Sequence, residues 1–221
     1  EILPIFAEAL KNQKSRDLLK EIVDFGLHRW RTQYYNIHED TSFVLGKKYT
    51  YDDVCRLLCW EKNINAQTLG GYFYNSRTNT FPVFINYEKD ADISKSIQYE
   101  DRFDGPAKLI AISKPKRTLL SEDIKTIKNS RENNTVIHLF MRKNKDDKES
   151  KEFYYLGKME PEGRFETGEM VIDNNKRNKI VEIYYNIKTP VEVNLYKYIT
   201  KWNFFIKNLL TEGNYRGILW M

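Results

Sequence analysis

Lys114, Lys116 and Arg117 surround Pro115 in the stretch SKPKRT, with Ser113 and Thr118 at its ends. Ammonium and guanidinium groups hold phosphate oxygens through charge-assisted hydrogen bonds, and hydroxyls add neutral ones. Gathered at one proline-kinked turn, these side chains suit a polyanion. They say nothing about sequence preference. Arg142 and Lys143, with Lys125, Lys128 and Lys145, are further candidates to follow a phosphate chain.

The charge distribution points the same way. Residues 1–105 carry 14 basic and 16 acidic side chains, whereas residues 106–160 carry 13 and 8, and residues 161–221 carry 9 and 7. The positive charge is concentrated around that turn. Such a patch favours phosphate-rich partners, although a solvated face on a lysine-rich chain has the same composition. Aromatics add a second ingredient. Tyr72, Phe73, Tyr74, Phe84 and Tyr87 alternate along two neighbouring strand-like stretches. One set must build a core, and the other is free to stack bases.

Other constellations are weaker. Cys55 and Cys59 are four apart, with no second cysteine pair, and His28, His38 and His138 are scattered, so four convergent zinc donors are not expected. Glu149-Ser150-Lys151 has the E-x-K order of some metal-dependent nucleases but falls in a loop, where rigid metal ligands are hard to build. Glu100, Asp101 and Asp104 could perform acid–base work or pair with Arg102 and Lys108. No P-loop, G-x-S-x-G or H-E-x-x-H motif is present. No catalytic residue, metal or cofactor is assigned. The cysteine usage suits a reducing, cytoplasmic setting, and no apolar run is long enough to span a membrane. Beginning at Glu1, the sequence reads as part of a longer polypeptide.

Several elements must position these residues. Residues 3–36 have helical apolar spacing, with Gly26 a candidate break. YTYDDVCRLLCWEK (49–62) is the clearest helix, opened by a Thr50–Asp53 capping box. Gly70-Gly71 marks a turn, and GYFYN and TFPVFINY form an expected hairpin, with Pro82 suited to an edge. A short helix is expected over 92–98, a strand over 107–113 and a helix opened by Ser121. TVIHLFMRK and EFYYLGKM read as strands joined by a charged loop, and GEMVI and IVEIYYNIKT as another pair. A short helix at EVNLYKYIT precedes an amphipathic tail. The fold class is α+β: a helical part (1–66), a strand-rich domain (67–200) and a C-terminal tail (201–221). A strongly curved, mostly antiparallel sheet or partly closed β-barrel with short helices would accommodate so many strands.

The blocks YTYDDVCRLLCWEKN, GGYFYN, FPVFINYEKD, YEDRF, SKPKRTLLSEDI, IHLFMRK and FYYLGKM together resemble a known family. It is the C-terminal domain of unknown function of bacterial DEAD/DEAH-box (superfamily II) helicases, often fused to a phospholipase-D-like nuclease. The resemblance runs from about residue 22 to residue 200 and leaves 201–221 unmatched. It implies a setting in DNA processing or DNA defence, with DNA and the helicase and nuclease domains of the same polypeptide as partners. The helicase and nuclease motifs themselves are not in this sequence. A non-catalytic DNA-binding accessory module, sensing shape, ends or a modified base, is the expected role. By fold analogy, Trp60, Tyr72, Tyr87 and Tyr99 are candidate base-stacking residues. A module docking on its own helicase or nuclease is the alternative, and a stand-alone hydrolase or nuclease a further one.

Overall fold

The computed structural model describes residues 3–33, 37–61, 71–88, 100–144, 151–172 and 176–200. The expected helix over 92–98, Glu149 and Ser150 of the E-x-K tripeptide and the tail from 201 lie outside them. The chain divides into two compact units, Glu1–Val44 and Leu45–Met221.

In the first unit, helix α1 (Pro4–Ala9) precedes helix α2 (Gln13–Gln33). Gly26, a candidate break in the sequence, lies inside α2. One glycine costs only about 1 kcal/mol in a helix interior, too little to end a long helix. The interruption falls at residues 10–12. There the Asn12 side-chain oxygen accepts the Lys14 N–H at 2.9 Å and caps a new start.

The second unit is built on one sheet. Its strands are β1 (Lys48–Tyr49), β2 (Thr80–Glu88), β3 (Arg102–Phe103), β4 (Lys108–Ile112), β5 (Val136–Asn144), β6 (Phe153–Ile172) and β7 (Lys176–Ile187). Their order is β2-β5-β6-β7-β4-β3, with β1 added against β6. Among the described strands, only β2 and β5 pair in parallel. Helices α3 (Tyr51–Leu57), α4 (Glu122–Lys128) and α5 (Val193–Thr200) complete it. This is the expected α+β architecture, a curled half-barrel. The curl has a direct signature: Tyr87 on β2 and Phe103 on β3, at opposite ends of the strand order, approach to 5.5 Å between ring centroids.

Strand alternation divides the side chains between two faces. Ile137, Leu139 and Met141 of β5 join Leu109 and Ala111 of β4 and Val181, Ile183, Tyr185 and Ile187 of β7 in the concave core. Ile124 and Ile127 of α4 and Ile199 of α5 pack into the same core. On the opposite face, Phe84 and Phe153 pack against Tyr51 at the start of α3 and meet each other edge-on, and Phe140 stacks on Phe84.

Local signals worked where local chemistry decides. Thr50 and Asp53 form the capping box, with Thr50 N–H donating to Asp53 Oδ2 at 3.0 Å and Asp53 N–H to Thr50 Oγ1 at 3.2 Å. That helix ends at Leu57 rather than near 62. Cys59, at φ +55°, turns the chain out of it. EFYYLGKM and GEMVI, read as separate strands, belong to one 20-residue strand, β6. A register shift between Pro161 and Phe165, with Gly163 at φ +100°, bends it instead of ending it.

Candidate functional site

Among the described strands the half-barrel does not close by pairing: β2 and β3 are the two ends of the strand order. At the seam a cleft of about 480 Å³ separates two unlike walls. Tyr72, Tyr74 and Phe81 line it from the β2 side, and Lys114, Arg117, Ser121, Glu122 and Asp123 from the β4–α4 connection.

The aromatic wall is a narrow hairpin. Bridges at Tyr72–Val83 and Asn75–Thr80 hold residues 72–75 against β2. Gly71, at φ +80°, begins this arm. A Cβ there would stand 2.8 Å from the Phe84 carbonyl oxygen, so only glycine fits. Pro82 sits on this edge strand, its carbonyl accepting the Phe73 N–H. The Tyr74 ring stacks on Phe81 at 6.0 Å between centroids, and Tyr72 meets Phe81 edge-on at 6.4 Å. Tyr74 is 43% exposed and Phe81 fully buried, so Tyr74 shows a face that Phe81 backs.

The cationic wall is fixed by backbone bonds. Ser113 N–H donates to the Val181 carbonyl and Val181 N–H to Ser113 Oγ, both at 2.9 Å, while the Ser113 hydroxyl donates to the Lys114 carbonyl at 3.0 Å. Ser113 is buried and shapes the turn from behind. Lys114 is half-buried, with Nζ 4.6 Å from the Phe73 ring centroid. Burial lowers its pKa, Asp123 opposes the shift and Arg117 adds to it. Lys116 is exposed, holds φ +64° and has no ion-pair partner among the described residues. Arg117 Nε donates to Asp123 Oδ2 at 2.7 Å. Thr118 N–H donates to Ser121 Oγ at 3.0 Å, while Thr118 Oγ1 accepts the Leu120 N–H. Ser121 is the backbone N-cap of α4, but its hydroxyl serves the turn rather than the helix.

Two polar atoms behind this cleft, the buried Tyr72 and Tyr185 hydroxyls, have no hydrogen-bond partner among the described residues. Burial raises both pKa values; Tyr185 adds to the rise at Tyr72, and Asp101 and Asp123 add to both. Asp101, read in the sequence as a possible acid–base group, accepts the Ile112 N–H at 2.8 Å and fastens the start of β3 to β4.

The remaining sequence candidates lie elsewhere. Arg142 is on the opposite sheet face, donating to Asn86 Oδ1 at 2.5 Å with its guanidinium 4.5 Å above the Phe153 ring. Lys143 lies over Tyr198 at 4.9 Å. Neither lines the cleft. The Trp60 indole N–H donates to Thr80 Oγ1 at 2.9 Å. Tyr87 is half-buried against Phe103, and burial raises its pKa, partly offset by a backbone hydrogen bond from Phe103. Tyr99 lies outside the described residues. Cys55 is buried and Cys59 exposed.

Sequence reasoning missed Phe81, which backs the aromatic wall, and Lys179. The Arg117 N–H donates to the Lys179 carbonyl at 3.2 Å, bringing β7 beside the cationic turn. The signal for Lys179 was its alternation with buried Asn178 and Ile180, but only the bond from the Arg117 N–H to its carbonyl reveals its neighbour across the turn.

These observations define an α+β half-barrel with an aromatic and cationic cleft at its open seam. The chain belongs to the family described as Domain of unknown function (DUF3427), whose model matches residues 43–199. No curated protein matches it. Among solved structures it is similar to one described as "Sulfur binding domain and SRA domain of ScoMcrA complexed with phosphorothioated DNA". Identity there is 5% and the TM-score 0.44, over 72% of this chain and 45% of that one. It is also similar to "crystal structure of KRYPTONITE in complex with mCHG DNA and SAH", at 11% identity and TM-score 0.43, over 86% of this chain and 41% of that one. The similar region thus spans less than half of each of those chains.

Proposed function

We propose that this chain is a non-catalytic DNA-binding module that works beside the helicase and nuclease domains of a larger polypeptide. The observation that carries this reading is the seam cleft, with aromatic rings on one wall and, on the other, Lys114 and Arg117 of the β4–α4 turn beside the carboxylates Glu122 and Asp123. Lys114 and Arg117 form part of its lining, Lys116 is exposed in the same turn, and the exposed Lys179 accepts the Arg117 N–H at its carbonyl. Phosphates supply salt-sensitive affinity at such a surface, and the cleft adds selectivity for shape, an end or an altered base. The positive balance of residues 106–160 supports the same reading. The helicase setting rests on the family resemblance of the sequence blocks.

The test is a titration of the chain against labelled duplex and single-stranded DNA at two salt concentrations, repeated with Lys116→Ala and Lys179→Ala. Weaker binding with a shallower salt dependence is expected, by about one unit of slope per cation removed. Binding indifferent to both salt and these substitutions would overturn it.

A second reading, docking on the parent's own domains, has one observation in its favour. Helical spacing aligns Leu18, Ile22 and Phe25 on one stripe of α2, and all three are exposed. Replacing them with polar residues would abolish association with the helicase core while leaving DNA affinity intact.

A further inference from the structure

Resting on the DNA-binding reading, we infer that Leu120, with Leu119 beside it, is a wedge that enters between neighbouring base pairs and bends the duplex. Leu120 is 79% exposed and Leu119 42%. A single exposed apolar side chain is ordinary. Two in succession at the tip of a turn are less so, because the same stretch buries its other apolar side chains. Ile124 and Ile127 of α4, a few residues on, lie in the concave core.

The tip is held in shape before any partner arrives. Thr118 N–H donates to Ser121 Oγ at 3.0 Å, Leu120 N–H to Thr118 Oγ1 at 3.3 Å, and Ser121 N–H to the Thr118 carbonyl at 3.0 Å. On one side, Arg117 N–H reaches the Lys179 carbonyl of β7, and Arg117 Nε reaches Asp123 of α4. On the other side, Lys125 N–H donates to the Ser121 carbonyl at 2.9 Å and continues the chain into α4. A projection tied at both ends has little freedom left to lose on insertion.

Charge selects the partner. Residues 113–121 carry three cations and no carboxylate. The acids that follow are each paired, Glu122 with Lys125 at 2.8 Å and Asp123 with Arg117 at 2.7 Å. Lys116 is exposed and has no ion-pair partner among the described residues. An apolar tip beside an unpaired ammonium group fits a partner with an anionic surface and an apolar interior. Duplex DNA is such a partner: apolar wedges, leucine among them, part its base steps while cations hold the flanking phosphates. A protein partner fits less well, since leucine is under-represented among the anchors of protein interfaces. A lipid surface shares the anionic and apolar character, so the experiment includes it.

The experiment measures energy transfer between dyes at the two ends of a short duplex. One duplex carries a central pyrimidine–purine step, which kinks easily, and the other a stiff run of adenines in its place. The full chain is compared with Leu120→Ala, with Leu119→Ala and Leu120→Ala combined, and with Lys116→Ala. Wild type is expected to bend the first duplex by about 20–90° and to bind it about fivefold more tightly than the second. Both leucine variants lose the bend and the preference, with a salt dependence like that of wild type. Lys116→Ala weakens both duplexes in the same proportion and still bends the first at saturation. Leu120 is largely exposed, so Leu120→Ala should unfold at the wild-type temperature, and a lost bend is then not a lost fold. A duplex that stays straight with wild type, or a bend that survives the double variant, overturns the inference and leaves DNA binding standing. Sedimentation with phosphatidylserine vesicles that depends on Leu120, beside an unbent duplex, also overturns it and assigns the tip to lipid. Absence of salt-sensitive binding to either duplex instead removes the reading on which it rests.

Discussion

The two faces of the half-barrel each carry an aromatic cluster beside a cation, and they are put to different uses. On the α3 face, Phe84, Phe140, Phe153 and Tyr51 pack at centroid distances of 4.5–5.2 Å, and Arg142 lies over Phe153 with its Nε held by Asn86. At the seam, Tyr72, Tyr74 and Phe81 are spaced at 6.0–6.4 Å and face Lys114 and Arg117 across open space. Residue type does not separate these clusters. What separates them is whether a neighbouring element fills the gap: α3 covers the first, and the unpaired seam leaves the second open.

Substitutions can break or sharpen this contrast. The largest effect is expected from Phe140→Ala, because Phe140 is fully buried. Denaturant unfolding should show a loss of about 3–5 kcal/mol. Arg142→Ala should cost about 1–2 kcal/mol, through its hydrogen bond and its ring contact, with DNA affinity unchanged in a salt titration. A DNA-binding defect without lost stability would move Arg142 into the interface and dissolve the contrast.

The tyrosines behind the seam give a pH signature. Tyr72 and Tyr185 have pKa values raised by burial. The folded chain therefore holds these protons more tightly than the unfolded chain. The stability this confers is whole below about pH 10, the ordinary tyrosine value, and declines as pH rises beyond it. The slope is at most about 1.4 kcal/mol per pH unit for each tyrosine. Urea unfolding from neutral to alkaline pH should show the decline, and Tyr185→Phe should flatten it. At neutral pH that variant should be as stable as wild type or more so by up to about 1 kcal/mol, since no partner is orphaned. The smallest stability change is expected from Lys116→Ala, within about 0.5 kcal/mol, although its salt slope for DNA should fall by about one unit.

Much of the fold could be read from local patterns. The Thr50–Asp53 box, the strand at Lys108–Ile112 and the alternation of Ile137, Leu139 and Met141 with His138, Phe140 and Arg142 each rest on residues a few positions apart. The parallel β2–β5 pairing was not legible, because it joins stretches more than fifty residues apart through backbone groups that every sequence shares. The candidate site was half legible. The cationic turn and Tyr72 stood out by type, and the structure places Lys114, Arg117 and Tyr72 around one cleft. Arg142 looked like the same kind of cation, and only strand alternation assigned it to the other face. Ser113 looked like a phosphate ligand, but its hydroxyl lies where β4 and β7 continue to pair.

Lys116 holds the bend after Pro115 with φ at +64°. A side chain bearing a Cβ meets a penalty of roughly 1 kcal/mol in that left-handed geometry, which glycine escapes. Curvature and charge therefore compete at a single position. Glycine at 116 would ease the arch and erase its outermost ammonium group together, so comparing Lys116→Gly with Lys116→Ala would weigh the shape of the loop separately from its pull on anions.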